Sequence, residues 1–248
     1  MISAICSPTT IDYLQLPRSL SMNKKTLPLI VTSLLTVAGT RAAAEVFYTD
    51  PYEGFNEETF MDMDFEPNLA TPLVPDREKA AVKRHMALVA KTLKGPFTVD
   101  LMRDGEVMVV TIPTDNLFLP NDTLLNESAE RLMKPIFGLM TDPMKYKVVA
   151  AVHTDDTGNA LYHERLSTAR LYSVYDLFLD MIDNGAISPD IVFIPYAMGA
   201  DDPIVDNDTW RHRAANRRLE IFFVPGPALI EQAHKETSDQ SSTNQKRK

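Results

Sequence analysis

The sequence predicts an α+β fold, a two-layer sandwich in which helices pack on one face of a mixed β-sheet. Between residues 76 and 225, segments with helical periodicity alternate with short apolar runs, and a hairpin pattern precedes this series. The region contains no internal repeat. One domain therefore accounts for the whole of it.

The front of this domain is predicted to be a helix followed by a β-hairpin. Residues 76–94 are rich in helix formers, Asp76 can cap the first turn, and Gly95-Pro96 ends the helix. Residues 97–112 alternate apolar and polar side chains around Asp104-Gly105, a dipeptide typical of hairpin turns.

The rest of the domain is predicted to alternate helices and strands. The elements are a helix from Asn121 or Asp122 toward Met140, a strand over 147–152, a helix over 161–183, a strand over 191–194, a short helix over 207–215 and a strand over 219–224. Pro135 is expected to kink or shorten the first of these helices. The continuous apolar character of residues 147–152 indicates a buried strand.

Residues 1–44 have the features of a secretory signal region. From Met22, which we expect to be the true start, a basic segment leads into an apolar run that ends at Ala38. Three alanines at 42–44 form a small-residue cleavage site. The apolar run is shorter than the ~20 residues that a membrane-spanning helix needs. We expect cleavage after Ala44, with an uncleaved membrane anchor as the alternative.

The net charge and the cysteine content exclude several classes of protein. The formal charge is −9, and the single cysteine, Cys6, lies in the segment expected to be removed. Nucleic-acid binding depends on Lys and Arg that neutralise phosphates, so we expect no nucleic-acid partner. An exported chain without cysteine also needs no disulfide to fold.

The two segments that flank the domain have unusual compositions. Residues 45–75 contain eight acidic side chains and four prolines but no Lys or Arg, which predicts an extended, poorly ordered linker. Six aromatic residues in the same segment suggest docking, either on a partner envelope protein or on the domain's own surface. Residues 226–248 are predicted to be a disordered polar tail.

The candidate binding site is the pair Asp155 and Arg170. Asp155 follows the predicted buried strand, at a position where loops commonly carry binding groups. Arg170 lies on the next helix, which can return to the end of that strand. The pair is either an internal salt bridge or a receptor for a zwitterion. In the second case Asp155 binds an ammonium, and Arg170 binds a carboxylate through two parallel N–H···O bonds.

Catalytic and metal sites are not predicted. His153, His163 and His212 do not have the spacing of a metal motif such as His-Glu-x-x-His. The chain has neither a nucleophile elbow nor a phosphate-binding glycine loop. We therefore expect a protein that is not an enzyme and that holds no metal or cofactor.

Residues from about 109 to 225 resemble the OmpA-like domain, a peptidoglycan-associating family. The resemblance is carried by Val152-His-Thr-Asp155 with Gly158, by His163-Glu-Arg-Leu-Ser-Thr-Ala-Arg170, by Met198-Gly-Ala-Asp-Asp-Pro203, and by Asn207-Asp-Thr209 through Asn216-Arg217-Arg218. It implies that Asp155 and Arg170 hold the diaminopimelate of the peptide stem without covalent chemistry. Thr154 and Arg217 would lie beside them, and Asn121 is a looser candidate.

The sequence departs from the family pattern at four positions. Val152 replaces a Gly, Leu171 an Ala and His212 a Gly. His163 stands where the family has Asn, and we expect it to shape the pocket together with Asn216. Because histidine is larger and can become cationic, the affinity is expected to fall or to depend on pH.

The resemblance implies a periplasmic protein associated with the outer membrane or the cell wall. Its partner would be peptidoglycan, and residues 45–75 would contact another envelope protein. Three alternatives stay open: a stator-like or secretion-system tether held by an uncleaved N-terminal segment, an OmpA-like protein-interaction module without wall binding, and an envelope hydrolase.

Overall fold

The computed structural model describes residues 48–246, with side chains through residue 241. The signal region predicted over 1–44 lies outside these residues. A mixed five-stranded sheet with packed helices confirms the α+β class. The strands are β1 (Thr98–Met102), β2 (Val107–Pro113), β3 (Tyr146–His153), β4 (Phe193–Gly199) and β5 (Arg218–Pro225). The helices are α1 (Glu57–Met61), α2 (Phe65–Ala70), α3 (Lys79–Thr92), α4 (Ala129–Phe137), α5 (Ala160–Asp183), α6 (Trp210–Asn216) and α7 (Pro227–Lys246).

The last strand lies in the middle of the sheet. The strand order is β1-β2-β5-β3-β4, and every neighbouring pair is antiparallel except β3 and β4. That parallel pair needs a crossover connection, which α5 supplies. The ends of β2 and β3 and the start of β5 therefore meet at one edge of the sheet, with Pro113 opposite Arg218 and Val152 opposite Leu219.

The predicted hairpin is formed by β1 and β2. Its turn places Arg103, Asp104 and Gly105 in the left-handed region, with φ values of 50°, 57° and 93°. Asp and Gly tolerate that region better than most residues, so the Asp-Gly signal correctly located the turn. Lys83 of α3 pairs with Asp104 and ties the turn to the helix layer.

One face of the sheet packs against α3, α4, α5 and α7. Alternate residues of the central strands point into this layer, among them Val110, Val148 and Ile221. Helix α5 begins where the Asn159 side chain accepts the N–H of Tyr162 at 2.9 Å, and it runs for 24 residues. It starts near the edge where β3 ends, and its length carries the chain back across the sheet to the opposite edge, where β4 begins.

The other face of the sheet is covered by α1 and α2, so the prediction of an extended, poorly ordered linker over residues 45–75 is wrong for the part described. Phe60 and Leu69 are buried against the strand residues that point to this face. These strand residues are Val107, Val109, Val149, Ala151, Ile194, Phe222 and Val224. The central strands are apolar on both faces, and exposing the second face to water would be unfavourable. The aromatic residues thus dock on the domain's own surface.

Two basic side chains hold the end of α2 against the sheet. The Lys147 ammonium donates to Asn68 O at 2.6 Å, to Asn68 Oδ1 at 2.7 Å and to Thr71 O at 2.5 Å, and it lies 4.0 Å from the centroid of the Phe60 ring. Arg103 donates to Leu69 O at 2.7 Å. Both side chains lie at the carboxyl end of the helix, where its dipole favours hydrogen-bond donors and positive charge.

The predicted disordered tail over residues 226–248 is also corrected. Residues 227–246 form α7, which packs on α3. Leu229, Ile230 and Ala233 are buried, a spacing that gives one helix turn an apolar side. The polar composition of the remaining residues concealed this short pattern.

Helix α4 begins later than predicted. Asn121 has a φ of 57°, which an α-helix cannot continue, and the Asp122 carboxylate accepts the N–H groups of Thr123 and Leu124 in a local turn. Residues 117–128 are therefore a loop at the edge where β2 ends. No helix in the described part of the chain is long and apolar enough to cross a membrane.

Candidate functional site

The candidate site lies at the edge of the sheet where β2 and β3 end and β5 begins. The topology brings together the loop after β2, the loop after β3 and the residue that precedes β5. Helix α5 adds residues from its first three turns. The predicted residues Asp155, Arg170 and Arg217 are all positioned by these elements.

Asp155 is an ion-paired carboxylate at the end of β3. The residue is 8% exposed, its Oδ1 accepts the N–H of Thr157 at 2.9 Å, and its Oδ2 accepts Arg217 Nη1 at 2.6 Å. Burial acts to raise the pKa of Asp155, but the hydrogen bonds from Arg217 and Thr157 outweigh it and hold that pKa below its usual value. Asp155 is therefore an anion at neutral pH.

Arg217 is shared between two carboxylates. Its Nε and Nη2 donate to the two oxygens of Asp115 at 2.9 and 2.7 Å, and its Nη1 donates to Asp155. The hydrogen bond to Asp115 is the main cause of a raised pKa at Arg217, and the bond to Asp155 acts in the same direction. Asp115 was not predicted from the sequence. It follows a strand at the same sheet edge as Asp155, but 102 residues separate it from its partner.

The neighbouring arginine faces the other side of the sheet. Arg218 is buried, with its Nε 3.0 Å from Glu220 Oε1 and its Nη2 3.5 Å from Asp202 Oδ2. Glu220 also lies 2.9 Å from His153 Nε2. Successive strand residues alternate faces, so only one residue of the Arg217-Arg218 pair can reach the candidate site, as predicted.

Arg170 is a buried guanidinium enclosed by the loop after β2. It is 3% exposed, its Nε donates to Asp122 O at 3.0 Å, and its Nη1 donates to Thr114 Oγ1 at 3.3 Å. The Phe118 ring centroid lies 4.9 Å from Cζ. Within the described residues it forms no salt bridge. These contacts use two of the five N–H donors of a guanidinium.

The charge state of Arg170 depends on opposing effects. Burial lowers its pKa, and nearby Asp115, Tyr162 and Asp155 act to raise it. Arginine remains protonated in proteins, so the side chain is a cation. Asp155 takes its hydrogen bonds from Arg217 and Thr157 rather than from Arg170. The simple internal salt bridge considered from the sequence is therefore not what the structure shows.

The remaining predicted residues occupy different parts of the site. Thr154 is buried and its N–H donates to Gly199 O at 2.7 Å, while its hydroxyl has no hydrogen-bond partner within the described part of the chain. Asn121 is exposed, and its Oδ1 accepts the Tyr162 hydroxyl at 3.3 Å. This contact joins the loop after β2 to the start of α5.

His163 lies beside the loop that carries Asp155. Its Nε2 is 3.1 Å from Thr157 O, so the ring supports the residue whose N–H donates to Asp155. It also packs against Gly199, where a Cβ would lie 3.6 Å from that of His163. A side chain at this position can therefore influence the shape of the Asp155 loop.

Asn216 stabilises a neighbouring loop and does not bond to Asp155 or Arg170. Its Oδ1 accepts the N–H groups of Ile204 and Val205 at 3.0 and 3.2 Å. Its Nδ2 donates to Val205 O and to Asn207 Oδ1 at 2.7 and 2.8 Å. Since Arg217 follows directly, these bonds fix the backbone from which its side chain extends.

The arrangement separates an anionic group from a cation. Asp115, Arg217 and Asp155 form a connected trio with a net charge of −1, and Arg170 carries the opposite charge nearby. Such an array suits a ligand that has both an ammonium and a carboxylate. Within residues 48–241 no group of three or more His, Cys, Asp or Glu side chains is placed to hold a metal ion.

Several solved structures are similar to this chain. A MotB-like protein from Desulfovibrio vulgaris is 20% identical with a TM-score of 0.46, and the match covers 60% of this chain and 92% of that protein. The cell wall anchor of the T6SS from Pseudomonas aeruginosa is 25% identical with a TM-score of 0.43, covering 58% and 96%. The OmpA-like domain of FopA1 from Francisella tularensis is 14% identical with a TM-score of 0.36, covering 54% and 84%. No protein-family model and no curated protein sequence matches.

Proposed function

We propose that this protein binds peptidoglycan without covalent chemistry and recognises the diaminopimelate of the peptide stem. The observation that carries the proposal is Arg170, a buried guanidinium that forms no ion pair with a carboxylate of the described residues and lies at the same sheet edge as the Asp155 anion. The side-chain end of diaminopimelate bears one ammonium and one carboxylate. The Asp155 carboxylate would accept hydrogen bonds from the ammonium, and the Arg170 guanidinium would donate hydrogen bonds to the carboxylate.

The surroundings of the two residues favour this use. An ionic hydrogen bond is stronger in a buried site than in an exposed one, because water screens it less. A buried cation without an anionic partner is therefore stabilised strongly when a ligand supplies one. The resemblance of residues 152–170 to the OmpA-like motif supports the same assignment, because the family's Asp and Arg fall on Asp155 and Arg170.

Binding of this kind would anchor an envelope structure to the wall. The protein would act in the periplasm, associated with the outer membrane or the wall, and would not be an enzyme. A second partner, if it uses the N-terminal segment, would contact the exposed acidic side chains of residues 48–75. The aromatic rings Phe60 and Phe65 already pack on the sheet.

Sedimentation with purified sacculi tests the proposal, using two variants with matched controls. Asp155→Asn removes the anion, and Asp156→Asn makes the same change at an exposed neighbour. Arg170→Lys keeps the charge but loses the planar donor pair, and Arg165→Lys makes that change at an exposed position of the same helix. We expect at least tenfold weaker sedimentation for the two site variants and wild-type behaviour for both controls, with all four variants folded at the assay temperature by thermal unfolding.

Other results would favour the alternatives. A wild-type protein that stays in solution would refute wall binding and favour a protein-interaction module. A mature protein whose measured mass still includes residues 22–44 would favour the tether held by an uncleaved segment. Release of soluble muropeptides from the sacculi would favour a hydrolase, and we expect none.

A further inference from the structure

Asp115 belongs to the candidate site but has no role in the binding scheme described above. It follows β2, and its side chain is about half exposed (49%). Both of its oxygens are engaged by Arg217, through Nε at 2.9 Å and Nη2 at 2.7 Å. Arg217 reaches Asp155 through Nη1 alone, at 2.6 Å. The two-point contact is therefore with Asp115, and Asp155 receives a single hydrogen bond.

The charge count shows what Asp115 contributes. With Asp115 present, the trio that it forms with Arg217 and Asp155 has a net charge of −1 and attracts a cation. Without it, Asp155 and Arg217 would form a neutral pair. The freed Nε and Nη2 of Arg217 would also be able to turn toward Asp155, because a guanidinium pairs best with a carboxylate through two parallel bonds.

We propose that Asp115 is a positioning residue that holds Arg217 at two points, so that Asp155 remains available to the ammonium of the ligand. The inference rests on the proposed function and specifies its ligand further. A stem peptide whose diaminopimelate amine is free carries the ammonium that the trio attracts. A stem peptide whose amine is acylated, as in a cross-link, presents a neutral amide and gains nothing from the trio. The site therefore selects stems that are not cross-linked through this amine.

A merely structural role for Asp115 makes a different prediction. Exposed ion pairs contribute little to stability, so removal of Asp115 would then change the melting temperature slightly and ligand choice not at all. Discrimination between a free and an acylated amine separates the two roles. Recovery of binding when Arg217 is also neutralised separates them again, because that second change restores the net charge of −1.

The test measures binding of two synthetic peptides by calorimetry with the full chain. The peptides are L-Ala-γ-D-Glu-meso-diaminopimelate with its side-chain amine free, and the same peptide acetylated on that amine. We expect the wild type to prefer the free amine by at least tenfold. Asp115→Asn is expected to weaken binding of the free amine about tenfold and to remove the preference. The double variant Asp115→Asn/Arg217→Gln should regain most of the affinity for the free amine and most of the preference over the acetylated peptide. Asp156→Asn should match the wild type.

The outcomes against the inference are distinct from those against the proposed function. If the wild type binds and Asp115→Asn binds equally well with the same preference, the inference is wrong while the proposed function stands. The same holds if the double variant is no better than Asp115→Asn. If the wild type binds neither peptide, the proposed function fails and the inference fails with it.

Discussion

Replacing Lys147 with methionine is expected to remove a pH dependence that the stability of the wild-type domain has. Lys147 is 1% exposed, and no carboxylate of the described residues lies within ion-pair distance of it. Burial lowers its pKa to about 7, and the nearby charge of Arg103 acts in the same direction. In the unfolded chain the pKa of the same amine returns to its model value of 10.5.

The sign and size of the effect follow from these two values. Between pH 7 and pH 10.5 the unfolded chain binds more protons at Lys147 than the folded domain does. The free energy of unfolding therefore rises with pH in this window. Below pH 7 the amine is protonated in both states, and its burial then destabilises the folded domain most. The limiting slope is about 1.4 kcal/mol per pH unit. Between about pH 8 and about pH 9.5 the expected gain is on the order of 2 kcal/mol.

Urea unfolding at several pH values measures this slope for the wild type, Lys147→Met and the exposed control Lys91→Met. Other groups titrate in the same range, so the difference in slope between the wild type and each variant is the informative quantity. We expect a reduced slope in Lys147→Met and no change in Lys91→Met. Equal slopes in all three proteins would refute the argument. They would mean that the three oxygen acceptors around the ammonium offset its loss of water.

Three further outcomes are expected at other positions. Phe60→Ala should cost about 3–5 kcal/mol of unfolding free energy and expose the N-terminal segment to proteases, because the ring is 2% exposed; Phe55→Ala, at an exposed ring stacked on it, should cost clearly less. Gly158→Ala should lower the melting temperature more than Gly185→Ala: both glycines have positive φ, but only at Gly158 would the new Cβ lie 2.8 Å from the Tyr162 ring. His163→Asn should weaken sacculus binding several-fold, because the His163 ring, whose Nε2 lies 3.1 Å from Thr157 O, supports the loop that carries Asp155. Equal sedimentation of His163→Asn and the wild type would rule out that role.

The sequence predicted the elements whose pattern is long and consistent. The 24 residues of α5 and the eight buried residues of β3 were placed within one or two residues of their ends. The Asp104-Gly105 turn was located because few other dipeptides adopt its left-handed conformation. These signals are local, so one sequence is enough to read them.

The missed features depend on contacts between distant residues. The composition of residues 45–75 indicated disorder, and only the apolar second face of the sheet explains why Phe60 and Leu69 are buried there. The pair of Asp115 and Arg217 could not be predicted, because nothing in either local sequence identifies the partner. Asp155 and Arg170 were predicted from their positions and the motif, but their lack of direct pairing is visible only in the structure.

The central position of β5 has a mechanical consequence for the wall attachment proposed above. Its first residue, Arg218, directly follows the site residue Arg217, and the carbonyl of its last residue, Pro225, accepts the Tyr52 hydroxyl at 2.7 Å. The N-terminal segment and the site thus lie at opposite ends of a strand about 25 Å long. Tension between them would run along β5 and load its hydrogen bonds to β2 and β3 together, in shear. A sheet pulled in this direction resists force through many bonds at once, whereas a strand peeled from an edge would lose them one by one.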